Sequence, residues 1–569
     1  VGDALRDLEV LALDGQASGA TPAYGDLIEL GWAVCTAQDG LVGPVQSRWI
    51  VPRTDRPIAR AVRELTGWSE ACLAEALGER AAWTLLRAEL ERDFGGQPRP
   101  AVPTVIHFAR FETRFLRDLH QRLQGAAAGA AGADFPLDAI CLHAVARRLL
   151  PDLPRCNIRA LAGYFGHAPE LVRRCSGHVE ATAFIWRGLV PLLESTGIRR
   201  WDELETWLAE PAPAPRSPRR SFPLAIERRR ALPDAPGVYR FVRPNGDVVY
   251  VGKAVSLRRR VAGHFKSRGP ATERSLELLS QVSDVAHTET SSLLEAALLE
   301  TDEIKRLDPP YNVQFRAGER SAWFASRDLR ETVPAPDAAH PVGPLPSPRV
   351  LRGLVALTAL AGGSGATPDV RAAALAVPVA LLPDETLFDA GWAMFAAEHL
   401  ARAEPTSASR VAAASLALWL ARGRTELESD SADAAPSEWD LARVRRRLER
   451  TLVQTGLLLR RSRLLSLLVD ASVAFREPAA KTARGLVISA GEIVEQRELA
   501  GVAEVTDLPA RRPRPLRERQ RSFDAAAYDR LRVLVTELRR VLDEGGDVSL
   551  RIGSHRLAGE RLARVMRAL

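Results

Sequence analysis

Two proline-rich stretches, EPAPAPRSPRR at Glu210–Arg220 and ETVPAPDAAHPVGPLPSPR at Glu331–Arg349, limit what this chain can fold into more than any other feature. Each proline removes a backbone donor and fixes φ, which discourages both helix and sheet. Read as linkers, they divide the 569 residues into an N-terminal block, a compact middle block and a long C-terminal block. A chain of this length is expected to hold roughly three or four units. The expected boundaries are 1–206, a linker at 207–222, 223–326, a second linker at 327–349, and 350–569.

The N-terminal block opens with the strand-like runs LEVLALD, LIELGWAV and SRWIVP, then the helical pattern ARAVRELTG and the apolar strand VPTVIHF. Helical patterns FETRFLRDLHQRL and ICLHAVARRLL follow, so the block reads as mixed α/β. The C-terminal block is mostly Ala, Leu and Arg with helical periodicity, as in WDLARVRRRLERTLVQTGLLLRRSRLLSLLV and AAAYDRLRVLVTELRRVL, interrupted by the acidic loop ELESDSADAAPSE.

The formal charge of +7 is unevenly spread, with arginines clustered at Arg216/Arg219/Arg220, Arg228–Arg230, Arg258–Arg260, Arg445–Arg447 and Arg511–Arg521. That distribution favours a polyanionic partner, although an arginine run on a helix also reads as a solvated face. The five cysteines (Cys35, Cys72, Cys141, Cys156, Cys175) have no C-x-x-C spacing and are odd in number, which speaks against a zinc finger or disulfide framework and for a reducing cytoplasm. The first residues lack a signal-peptide pattern and no apolar stretch is long enough to span a bilayer, so no membrane partner is expected.

In the middle block, PGVYRFVRPNGDVVYVGKA reads as two strands joined at Pro244-Asn245-Gly246, with Tyr239 and Tyr250 on the strands. A helix capped by Ser256 carries Arg260, and a second helix, SLLEAALLETDEIKRL, carries Glu300 before the turn PPYNV. Cutting a phosphodiester requires a base for water, a cation on the developing charge and assistance to the leaving oxygen. One carboxylate can hold a hydrated Mg²⁺ or Mn²⁺, the role Glu300 suits. Arg260 suits a phosphate clamp, and Lys253 is expected to lower a tyrosine or water pKa, turning a tyrosine into a base.

At GVY, YVG, Lys253, Arg260, Glu300 and the Tyr311-Asn312 pair the chain resembles the GIY-YIG nucleases, and more narrowly the N-terminal nuclease of UvrC, over about a hundred residues. The resemblance implies an active site of Tyr239, Tyr250, Lys253, Arg260, Glu300 and Asn312, with Glu300 as metal ligand. It also implies an additional contact from His264.

The run LALDGQASGATPAYGDLIELGWAV resembles the first motif of DEDD-type 3′–5′ exonucleases, the RNase H-like fold of the DNA polymerase III epsilon subunit. The family's two acids on the first strand correspond to Asp14 and the neutral Gln16. Glu112 stands for the second-motif aspartate, and LDAICL and RCNIRALAGYFG match the family's helices. His178 resembles the catalytic histidine, but the acid five residues on is Ala183, and Glu180 is out of register. So few acids imply a crippled two-metal site.

The expected fold is therefore multidomain α/β: an RNase H-like exonuclease fold, a small α/β GIY-YIG domain and a mainly α-helical C-terminal region. Neither UvrC's second nuclease nor its helix-hairpin-helix pattern is found, so the resemblance implies a single-cut endonuclease of the UvrC-like Cho type. Its expected work is nucleotide excision repair on damaged duplex DNA, alongside damage-recognition proteins, in a bacterial-type cytoplasm at the nucleoid. Alternatives are an active 3′–5′ exonuclease or a non-catalytic DNA-binding scaffold.

Overall fold

The structure, a computed structural model, describes residues 4–91, 101–124, 134–167, 173–211, 220–266, 271–314, 322–327, 329–363, 365–400, 438–478, 480–509, 514–515, 518, 521 and 523–567. Arg216, Arg219, Arg511 and residues 426–437 of the acidic loop lie outside the described residues. The chain divides into two compact units: Val1–Ala235 with Tyr239–Glu289, and Pro236–Val238 with Thr290–Leu569.

The first unit is built on a six-stranded sheet of β1 (Val10–Ala17), β2 (Leu27–Thr36), β3 (Gly40–Leu41), β4 (Gln46–Trp49), β5 (Val102–Ile106) and β6 (Leu137–Cys141), in the order β3-β2-β1-β5-β6 with β4 also on β2. β1 runs antiparallel to β2 and parallel to β5. Both faces of β1 and β2 are buried, which is why these strands read as nearly continuous apolar runs. One face packs on α6 (Cys175–Ser195) through Val179, Ala183 and Trp186; the other packs on α3 (Ala109–Gln124) through Phe115, Leu116 and Leu119. LDAICL, matched to a helix in the sequence, is instead strand β6, whose β5 partner register runs from Val102↔Leu137 to Ile106↔Cys141. The five cysteines are all free.

From Tyr239 the same unit continues along β7 (Gly237–Val242) into β8 (Val248–Ala254), the expected hairpin, with Gly246 at φ 91° in its turn and the Asp247 amide donating to Asn245 Oδ1. With β9 (Asp284–Glu289) they form a three-stranded sheet in the order β8-β7-β9. Ser256 caps α9 (Leu257–His264), accepting a bond from the Arg259 amide.

In the second unit α11 (Leu293–Leu307) starts at Ser292, whose hydroxyl accepts from the Glu295 amide. The 327–349 stretch, expected as a linker, contributes strands Thr332–Val333 and Val342–Leu345 to a three-stranded sheet with Trp323–Ala325. Pro344 is tolerated there because its strand is an edge of that sheet. At the other expected linker, residues 207–209 still belong to the helix Trp201–Ala209. The C-terminal region carries the expected helices, among them Leu441–Leu468 and Ala525–Asp543, and also an antiparallel sheet of five strands between Ser472 and Ala558. No helix of the described residues is long and apolar enough to cross a membrane.

Candidate functional site

The hairpin β7–β8 and helix α9 carry five of the expected residues in the first unit: Tyr239, Tyr250, Lys253, Arg260 and His264. Tyr239, fully buried on β7, shares a 2.7 Å hydrogen bond between its hydroxyl and His264 Nε2 at the end of α9. The Tyr250 ring lies 6.1 Å from both the Tyr239 and His264 rings, and Phe241 closes the cluster edge-on against His264. Gly252 is required by this packing: a Cβ there would come 2.6 Å from the Tyr239 hydroxyl. Lys253 is half-buried further along β8, and Arg260 is exposed on α9.

The electrostatics differ from expectation. Burial first, then the neighbouring Tyr250, pushes the Tyr239 pKa up, and nearby Arg260 only partly opposes this. Burial, aided by Arg260, holds His264 down at about 4. At neutral pH both partners are uncharged, so Tyr239 is not the phenol of depressed pKa anticipated from the sequence; an alkaline-shifted tyrosine donates a proton readily only through a partner that accepts it.

Glu300, Tyr311 and Asn312 lie in the second unit. Glu300 is half-buried on α11 and Asn312 is buried in the turn after it. Three ion pairs tie α11 to the C-terminal region: Glu295 to Arg484 (2.7 Å), Asp302 to Arg530 (2.9 Å) and Lys305 to Asp529 (2.7 Å).

A second site sits at the centre of the large sheet. Asp14 on β1 faces Gly31 in register, and at Gly31 a Cβ would strike Cys175, so the start of α6 comes down onto the strand. This places His178 Nδ1 at 3.1 Å from Asp14 Oδ2. Gln16 is anchored by its amide nitrogen, which donates to the Arg173 carbonyl at 2.6 Å, leaving its Oε1 buried without a partner. Glu112 lies above Gly15, its Oε2 likewise buried and unpartnered. Burial and the Asp14 charge push the Glu112 pKa up to about 9. Ala183 is in the core and Glu180 is exposed, so neither supplies a further ligand.

Two buried oxygens without donors beside a carboxylate are the donor set a hard divalent cation takes. Sequence reasoning missed His107, at the end of β5, both of whose ring nitrogens are buried and unpartnered. Burial, with His143 next, holds its pKa at about 3. The only signal was its place after an apolar strand, which many core histidines share.

The model of the UvrC-like GIY-YIG domain matches residues 235–313. Those residues are thus similar to a UvrC-like GIY-YIG domain. A Mycobacterium tuberculosis protein named as a bifunctional exonuclease/endonuclease is 31% identical over 250 residues, 43% of this chain and 36% of that protein. UvrABC system protein C of Chlorobaculum tepidum is 39% identical over 104 residues, 18% of this chain and 17% of that protein. This chain thus spans about a third of the first relative and about a sixth of the second. Among solved structures, the magnesium-bound GIY-YIG domain of Thermotoga maritima UvrC is 30% identical, with 15% of this chain and 93% of that chain covered and a TM-score of 0.14. The nuclease domain of 3′hExo, a DEDDh family member, is 12% identical, with 34% of this chain and 94% of that chain covered and a TM-score of 0.27. The matched span contains the middle-block motifs from GVY at Gly237 to Asn312.

Proposed function

We propose that this chain is a metal-dependent DNA endonuclease of the UvrC type, cutting damaged duplex during nucleotide excision repair with the help of damage-recognition proteins. Segment 223–326 carries the cut, 1–206 holds DNA or a partner, and 350–569 supports the nuclease. The observation that carries this reading is the Tyr239–His264 hydrogen bond inside an aromatic cage beside Arg260, within residues 235–313 that match the UvrC-like GIY-YIG domain.

In this reading Glu300 holds the cation, Mg²⁺ or Mn²⁺, which when bound offsets charge on the cleaved phosphate. A half-buried single carboxylate suits an ion that keeps most of its waters. The exposed Arg260 fork engages phosphate oxygens, and Asn312 and Lys253 orient the strand. Tyr239 and His264, both neutral, provide a proton path: the hydroxyl takes a proton from water as its own passes to His264 Nε2. Tyr250 lines the same pocket. The test is incision of a lesion-bearing duplex by the full chain with Mg²⁺ and damage-recognition proteins. Glu300→Ala is expected to lower the rate at least about 100-fold, as loss of a metal or charge-stabilising group does. Wild-type incision by that variant would refute the assignment.

A second reading, a 3′–5′ exonuclease at Asp14, gains support from the two unpartnered oxygens of Gln16 and Glu112. Asp14, Gln16 and Glu112 would hold one cation, with His178 as base. It requires 3′-end digestion that Asp14→Ala abolishes and Glu300→Ala leaves intact.

A further inference from the structure

The helices Leu441–Leu468 and Ala525–Asp543 share a core through Leu464, Leu465 and Leu468 on one and Leu531, Val535 and Leu538 on the other. Arg461 lies one turn before Leu464 and Leu465, on the face directed at the second helix. On that second helix Tyr528, Arg532, Val535 and Arg539 recur at the spacing of a single face. Arg461 is an electrostatic neighbour of Tyr528, Arg532 and Arg539, and all three arginines, like the adjacent Arg460, are half-buried.

The carboxylates of both helices are engaged elsewhere. Glu449 bonds to His399 and Arg445, Asp529 to Lys305, and Glu537 to Arg540. Among the described residues of the two helices, the carboxylate that approaches the group is Asp543, at 3.7 Å from Arg539 Nε at its outer end. Arg460 Nη1 and Arg461 Nε are closed off from solvent and have no acceptor. Burying a guanidinium N–H unpaired is costly, and facing like charges add to the cost. An anion removes both penalties. One carboxylate saturates a single guanidinium fork, whereas the neighbouring guanidinium groups of Arg461, Arg532 and Arg539 match the several oxygens of a phosphate.

We infer that Arg461, Arg532 and Arg539, with the Tyr528 hydroxyl beside them, form a phosphate-binding site. The phosphate comes either from a nucleic-acid backbone or from a free anion. The inference is independent of the cleavage reading, since it concerns binding and is tested without Mg²⁺.

The full chain and an Arg461→Gln/Arg532→Gln variant are compared in EDTA by thermal unfolding, with inorganic phosphate against chloride at matched ionic strength, and by fluorescence anisotropy with a labelled duplex across a salt series. Without phosphate the variant is expected to melt at or above the wild-type temperature, because it loses unpaired buried charge; this separates a binding defect from misfolding. Wild type is expected to be stabilised by phosphate and the variant not. If the phosphate is nucleic-acid backbone, the variant also loses about tenfold in duplex affinity and its salt slope shrinks by about one to two. A phosphate response with unchanged duplex binding assigns the site to a free anion, and a duplex loss alone assigns it to the backbone. Identical behaviour of the two proteins in both assays overturns the inference, as does an equal loss from Arg463→Gln, an exposed arginine on the same helix.

Discussion

His264 and Tyr239 join through one hydrogen bond, and the pH at which that bond survives is set by the histidine. Its pKa of about 4 in the fold lies below the ordinary 6.5, so the unfolded chain takes up the proton first as pH falls. The stability it contributes is complete above about pH 6.5 and is lost as pH drops through about 4, a loss on the order of 2 kcal/mol for a side chain that is partly solvated. Urea unfolding at pH 7 and pH 4 is expected to show a smaller acid penalty for His264→Gln than for wild type. Tyr239→Phe keeps the ring and removes the bond, so incision is expected to fall by about 10²-fold or more with the melting temperature little changed, the scale of a general acid–base contribution. The same scale shows the limits of reading residues from letters. Gln16 appears in the sequence only as a lost charge; its amide nitrogen bonded to the Arg173 carbonyl, and the oxygen thereby left without a partner, depend on a contact 157 positions away. The raised Tyr239 pKa was equally hidden, because burial by Phe241 and Tyr250 outweighs the cations that the linear motif places nearby.

At the scale of elements, the hairpin β7–β8 owes its tightness to Gly252 as much as to the Asn245-Gly246 turn. A methyl at Gly252 meets the Tyr239 ring carbon and hydroxyl at 2.6 Å, and Tyr239 is itself fully buried. Gly252→Ala is expected to cost about 1–3 kcal/mol and to push Tyr239 off His264, seen as a lower melting temperature together with lost incision. Hairpin, capped helices and central strands were legible because each depends on neighbours in sequence: an Asn-Gly turn, a Ser at the N-cap, an unbroken apolar run. Val342–Leu345 was not legible. Its proline count argues for a linker, and only its place at a sheet edge, paired Trp323↔Leu345 and Ala325↔Val342, makes the strand possible. The C-terminal sheet was masked in the same way. EIVEQREL, paired with Ala483–Ser489, alternates in burial yet carries charges of both signs that suit a solvent-facing helix equally well.

For the molecule as a whole, the core of the C-terminal region includes Leu294, Ala297 and Leu298 of α11 together with Phe475, Leu534, Leu562 and Met566. The helix that carries Glu300 is therefore packed by residues drawn from the last hundred positions, and its three ion pairs to Arg484, Arg530 and Asp529 reinforce that packing. A fragment 223–326 is expected to expose this apolar face, to melt well below the full chain and to incise poorly. Arg484→Met, which leaves the partly buried Glu295 without its partner, is expected to cost about 1–3 kcal/mol in the full chain, measured by urea unfolding.

This packing also bears on synthesis. A ribosome completes the GIY-YIG motif by Asn312, but the core beneath α11 closes only when Leu562 and Met566 have been added. Shorter chains thus carry the GIY-YIG letters without the complete core beneath the helix of Glu300. Incision by truncated chains of increasing length is expected to stay near background until Leu562 and Met566 are included.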